Sequence, residues 1–398
     1  MITPEELGKR LRQALERVGL KQDEAAAALG LDATAIAKIE HGKRGVGALE
    51  MMRLASLYKV SMSDLLANAL ERADIRLRIA LRQGTALDPK AEAMQHRLEQ
   101  IIADDRWLRL HVKKSTNAIL WVPVAALLPP DVLAHERGYR GADLFRNRYG
   151  LAASPISDMS VLADEVGVIV ARLPLGMHQA PDGSSAVDPL DDTAYVLINS
   201  DKPRFRRRFT IAHELGHLTL GHLHEGEMVL DGLIHPVQPH EIEANAFAAG
   251  LLMPEQGVKA SLKRLRGRLG VKSEPLEWAV WLSASFGVSE EAAAYRMINL
   301  DLPEAFDGAI IDAVKSAQEN PDVLRRTRAR LGLAPVMSDA ERGITEVGPA
   351  MRARIVRALE EGLISIERAA EMMHVPVHEA YHWTLETRLH VSNTDRFA

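Results

Sequence analysis

The chain of 398 residues contains no cysteine. That removes disulfides, thiolate nucleophiles, iron–sulfur clusters and every cysteine-ligated zinc site. A metal centre would have to be built from histidine and carboxylate. The chain also lacks a basic surplus: its net charge is −5, so no global field draws it to nucleic acid and any such site is local. Long apolar runs are missing too. The longest, Ala118 to Leu128, is interrupted by Pro123 and is too short to span a bilayer. The opening residues, Met1-Ile2-Thr3-Pro4-Glu5-Glu6, have no basic stretch followed by an apolar one, so a secretion signal is not expected. No fixed-period repeat or low-complexity tract is visible. What remains is 47% hydrophobic and 26% charged, an ordinary balance for a globular chain, with 15 histidines. The length suits two to four domains, and the expected setting is cytoplasmic, without a membrane.

Residues 1–67 read as five short helices. Leu7, Leu11, Leu15 and Val18 lie at helical spacing before Gly19. Gln22 to Leu29 ends at Gly30, Asp32 can cap a third helix, Leu49 to Leu57 forms a fourth, and Ser63 opens a fifth. Residues 68–134 read as a charged helical connector. Between 135 and 305 helices surround short strands at Val168–Val170 and Tyr195–Asn199, and the Gly-, Pro- and Asp-rich stretch 176–192 reads as a loop. Residues 306–398 are helical, with a helix–turn–helix rhythm around Val375-Pro376. Its acidic residues favour packing or oligomerisation over a second DNA module. The expected class is α+β and mainly helical: an N-terminal five-helix bundle, a domain with a small sheet, and a helical C-terminal region.

The strongest motif is His213-Glu214-Leu215-Gly216-His217. Residues four apart on a helix share a face, with Cβ atoms about 5–6 Å apart, so both imidazoles can hold one ion. Glu214, one step round, can reach a metal-bound water as general base. The motif sits on an apolar helix carrying Ile211, Ala212, Leu215 and Leu218. Burying these polar groups there is costly unless they are paired or bound. A catalytic zinc needs a third ligand. The positions three and six residues after His217 are Leu220 and Leu223, which excludes the metzincin extension. The better candidate is Glu241 on the next helix, with Asn245 four residues on to support a ligating imidazole; Glu243 competes with it. His222, His224, His235 and His240 read as solvated or supporting histidines. Arg204, Arg206, Arg207 and Arg208 read as a solvated face or salt-bridge partners.

Together, Arg208 to His217, the preceding Ile198-Asn199, the element Glu241 to Ala249 and Leu252-Met253-Pro254 resemble the ImmA/IrrE family of zinc metallopeptidases over roughly residues 135–300. The resemblance implies a gluzincin-like fold and Glu241 as the third zinc ligand. It also implies cleavage of helix-turn-helix repressor proteins and control of stress-response or mobile-element genes. Zinc is expected at one per chain, with manganese also compatible with a His/His/Glu set. On this view the strand Tyr195–Asn199 would be the sheet edge that pairs with an extended substrate.

Residues 7–66 resemble the Xre/Cro-type helix-turn-helix, through Leu20 to Ala26 and Ile36 to Arg44. That geometry would place Gln22, Thr34, Lys38, Lys43 and Arg44 against DNA. Ala33, Ala35 and Ala37 occupy base-reading positions, however, and ten basic against nine acidic side chains in residues 1–66 leave a surplus of only one. Affinity is then expected to be weak in a monomer, and a homodimer is expected. Alternatives are a non-proteolytic transcription factor whose metal domain senses a ligand or metal, and a toxin–antitoxin component.

Overall fold

A computed structural model of the chain describes residues 3–18, 20–58, 65, 89–112, 121–129, 131–177, 180–188, 191–223, 228–230, 238–269, 274–334 and 346–383. The molecule is α+β and mainly helical. Its N-terminal helices are α1 (Pro4–Arg17), α2 (Gln22–Leu29), α3 (Ala33–Glu40) and α4 (Ala48–Leu57). The fifth expected helix lies outside the described residues except for Leu65, which is buried and accepts a hydrogen bond from Arg10. Asp32 caps α3 by accepting from the Ala35 amide at 2.6 Å. Leu11, Ile36, Ile39, Leu54 and Tyr58 fill the core of this bundle.

The second unit is built around a sheet of five described strands in the order β4-β2-β3-β1-β5. β1 (Val168–Leu173) runs parallel to β3 (Ala194–Asn199). β2 (Gly183–Val187) is antiparallel to β3, β4 (Met228–Leu230) to β2, and β5 (Glu346–Val347) to β1. Side chains alternate between two cores. Val168, Val170, Val196 and Ile198 face one, with Ile211, Leu215, Phe247 and Leu251. Ile169, Ala171, Tyr195 and Leu197 face the other, with Leu98, Ile101, Met351 and Ile355. Burial on both faces explains the near-continuous apolar runs of β1 and β3.

The first face is covered by α6 (Ala134–Arg148), α8 (Arg204–Thr219) and α9 (Pro239–Leu252), with α7 (Met159–Glu165) beside β1. Helices α10 (Glu255–Leu269), α11 (Pro275–Phe286), α12 (Glu290–Asn299), α13 (Ala309–Glu319) and α14 (Pro321–Arg330) extend this layer. The opposite face is covered by α5 (Pro89–His111), α15 (Pro349–Glu360) and α16 (Ile366–Met373). Segments far apart in the chain, read above as a connector and as a C-terminal region, thus close the same side of one sheet.

Two expectations about the sheet are corrected. The stretch 176–192 is not all loop, because β2 lies within it. Gly183, Ser184 and Ser185 have little β propensity; pairing on both sides, to β3 and β4, holds them extended. Nor is Tyr195–Asn199 an edge: β3 is flanked by β2 and β1, so its backbone groups are committed to the ladder. The described edges are β4 and β5.

A buried ion cluster fastens the far layer. Asp105 of α5 accepts from Arg109 at 2.9 Å, Arg354 at 2.8 Å and the Tyr195 hydroxyl at 2.8 Å. Asp188, which follows β2, takes Arg106 at 2.7 Å and Arg109 at 2.9 Å. Removing one partner strands the others' charge in a low-dielectric setting. Asp105→Ala is therefore expected to destabilise the fold by about 3–5 kcal/mol, measured by urea denaturation.

Candidate metal centre

Helix α8 presents two working faces. Thr210 and Glu214 lie against β2, and His213 and His217 face α9. The first face fits because Gly183 has no side chain: a Cβ there would lie 2.4 Å from Thr210 Cγ2. The second fits because Gly216 lets α9 approach; a Cβ there would lie 3.1 Å from the Phe247 ring and 3.2 Å from the Ala244 backbone. Small residues at the crossing bring the carboxylate of α9 to the imidazoles of α8.

The side chains of His213, His217 and Glu241 each point a ligand-type atom to one spot, all within 4.8 Å of one another, and all three residues are buried. His213 Nε2 is 3.3 Å from Glu241 Oε2, and His217 Nε2 is 3.5 Å from Glu241 Oε1. The two Nε2 atoms are 2.9 Å apart. Glu214, fully buried, accepts a short hydrogen bond from the Ser185 hydroxyl on β2.

The protonation pattern follows from the partners. Burial pushes the His217 imidazole down to about 3, against the opposing pull of Glu241, so it is neutral at pH 7. Burial likewise lowers His222. Burial alone would raise the Glu241 carboxyl, but the imidazoles of His213 and His217 beside it outweigh this and hold it below the usual carboxylate range. His213 Nδ1 lies 3.1 Å from Asn245 Oδ1, an acceptor, so the ring proton sits on Nδ1 and Nε2 carries a lone pair. A neutral imidazole pair and a carboxylate converging through lone pairs form a chelate that suits a divalent ion such as zinc.

The expected metal residues His213, His217 and Glu241 are thus brought together, with Asn245 behind His213; Glu214, next to His213 on the same helix, meets Ser185 of β2. Glu243 points elsewhere, to His222 at 2.9 Å and Arg137 at 3.2 Å. His240 lies 3.6 Å from Glu241. His224 and His235 lie outside the described residues. Ser185 carries no signal in the sequence, because it belongs to a strand whose composition reads as loop. The Arg cluster is not a groove: Arg206 pairs with Asp182 at 2.5 Å, Arg207 donates to backbone carbonyls of Ser200 and Lys202, and Arg208 to those of Ile156, Ser157 and Phe286.

In the N-terminal bundle, Lys38 and Lys43 are exposed. Gln22 donates to Glu40 at 2.6 Å, Thr34 to Asp32 at 2.5 Å, and Arg44 pairs with Glu50 at 2.9 Å. Three of the five expected DNA contacts are therefore engaged within the bundle.

Comparison with known proteins bears on both units. Residues 163–297 match the model of the IrrE N-terminal-like domain, and residues 11–65 match a helix-turn-helix model. The chain is 37% identical over 122 residues to the radiation response metalloprotease IrrE of Deinococcus radiodurans, covering 29% of this chain and 34% of that protein. It is 36% identical over 61 residues to the uncharacterized immunity region protein 2 of Bacillus phage phi105, covering 15% of this chain and 39% of that one. The chain thus spans little more than a third of the length of these curated relatives. With a capped helical bundle near its N-terminus and a His/His/Glu cluster on paired helices near its middle, the chain carries a helix-turn-helix domain and a domain that matches the IrrE N-terminal-like domain.

Proposed function

We propose that this protein is a transcriptional regulator with zinc-dependent endopeptidase activity, which cleaves a repressor-type protein in the cytoplasm. The observation that carries the reading is the convergence of His213, His217 and Glu241, with the buried Glu214 next to His213 on the same helix. A divalent ion held by those three would supply Lewis acidity, lowering the pKa of a water and polarising a carbonyl. Glu214 accepts the proton of the attacking water and delivers it to the leaving amine nitrogen. The Ser185 hydroxyl orients the Glu214 carboxylate by donating to it. Asn245 fixes the His213 ring so that its Nε2 lone pair stays on the site. The named role of the Deinococcus relative, a radiation response metalloprotease, supports a protease working in a stress response.

The N-terminal bundle binds DNA as a homodimer on this reading. Lys38 and Lys43 supply phosphate contacts, and Gln22, Thr34 and Arg44 contribute once released from Glu40, Asp32 and Glu50.

The expected outcomes concern the metal, the cut and the DNA. Elemental analysis of the purified protein finds about one zinc per chain, and His213→Ala reduces this to none. Incubated with the repressor encoded beside its gene, the protein makes a discrete cut that a chelator blocks. Glu214→Gln slows that cut by about 100- to 10,000-fold while retaining the metal; an undiminished rate rules Glu214 out as the base. DNA binding weakens steeply with salt, and Lys43→Ala reduces the slope of log affinity against log salt by about 1, read by fluorescence anisotropy.

A further inference from the structure

His213 and His217 need the same thing from their surroundings. Each must keep its proton on Nδ1 so that Nε2 can face the site. Asn245 does this for His213. The group behind His217 is another histidine. His222 Nδ1 lies 3.0 Å from His217 Nδ1, and an imidazole nitrogen accepts a proton only if its own proton is on the other nitrogen. Glu243 provides that condition. Its Oε2 lies 2.9 Å from His222 Nε2, and a carboxylate can only accept. His222 therefore carries its proton on Nε2, presents a lone pair at Nδ1, and receives the Nδ1–H of His217. The His217 Nε2 lone pair is left facing His213 and Glu241.

The backbone builds this arrangement. Helix α8 ends in a left-handed turn at Gly221, φ +72°. The Gly221 amide donates to Leu218 O at 3.2 Å and the His222 amide to His217 O at 3.0 Å, the pair of bonds that closes a Schellman motif. The second bond ties the two histidines through the main chain while their rings meet at 5.0 Å between centroids. Glu243 is held in turn. Arg137 of α6 lies 3.2 Å from the same Oε2. The adjacent Gly138 lets α6 touch α9, since a Cβ there would lie 2.2 Å from Glu243 O.

We propose that His222 and Glu243 are positioning residues, a two-step relay that fixes the His217 ring in its metal-binding tautomer and orientation. The inference rests on the metal-dependent reading above. It adds that the site's affinity is set partly by two residues that touch no ion. Glu243, a competitor for ligand in the sequence, acts through His222.

The test is zinc affinity of the full-length protein, measured by competition with a chromophoric chelator, with circular dichroism of each metal-free variant as the check on folding. His222→Leu removes the acceptor and is expected to weaken zinc binding about 10- to 100-fold. Glu243→Leu, which leaves His222 in place without its anchor, weakens it in the same direction. His222→Asn puts an amide oxygen close to where Nδ1 stood and restores affinity to within about threefold of wild type, on the same hydrogen-bond logic. A packing role would not distinguish Leu from Asn in this way. Affinity equal to wild type in His222→Leu or Glu243→Leu overturns the proposal, as does equal loss in His222→Leu and His222→Asn. A wild-type chain that takes up no zinc overturns the parent reading and this one with it; tight wild-type binding with unaffected variants overturns this one alone.

Discussion

The crossing of α8 over α9 is the constraint on which the site depends. Two helices can share a metal only if their axes come close enough for a short carboxylate on one to reach imidazoles on the other. Gly216 and Ala244 make that approach possible, with Phe247 packed beside them. Each is an apolar or side-chain-free position, so the energy of closing the gap comes from burial rather than from the polar groups. The polar groups then meet in a volume from which water is largely excluded, where an unsatisfied lone pair is expensive. Packing and coordination are therefore coupled: the core builds the chelate, and whatever the chelate holds would in turn tighten the core.

Around that crossing the sheet acts as the reference surface. β2 supplies Ser185 to the Glu214 carboxylate and leaves room for Thr210 at Gly183. β3 lies in the middle, one side chain in two facing helices α8 and α9 and the others facing α5 and α15. Tyr195 links the layers, since its ring belongs to the far core and its hydroxyl to the Asp105 ion cluster. Burial and the neighbouring Asp105 carboxylate raise the Tyr195 hydroxyl well above its ordinary range, so it stays a neutral donor.

The legible part of the site was that in which chemistry is local. HExxH places two ligands and a base on one helix, and Glu241 with Asn245 repeats the four-residue step on the next. His213, His217 and Glu241 converge, Asn245 meets His213 and Glu214 meets Ser185. The errors arose where partners are distant in sequence. Ser185 lies in a segment whose composition speaks for a turn, and only strands on both sides make it extended. Neighbour order in a sheet is likewise invisible in strand composition, so β3 could be recognised as a strand but not as an interior one. Glu243 and His222 both stand out in the sequence, but their pairing depends on Gly221 bending the chain back and on Arg137 arriving from α6. In the N-terminal bundle the helix stops and caps were plain, whereas the engagement of Gln22 by Glu40 depends on how α2 packs against α3.

The two-sided burial of the sheet also bears on what can be cut from the chain. The span matching the IrrE N-terminal-like domain, residues 163–297, holds four strands and helices α8 and α9 but none of the cover for the opposite face. A truncated fragment of that span would leave Ile169, Ala171, Leu173, Tyr195 and Leu197 open to solvent on adjacent strands, a sticky apolar surface beside an unprotected β1 edge. The structural unit that holds His213, His217 and Glu241 is in this sense larger than the matched span, and its integrity is shared with helices that precede and follow it by dozens of residues.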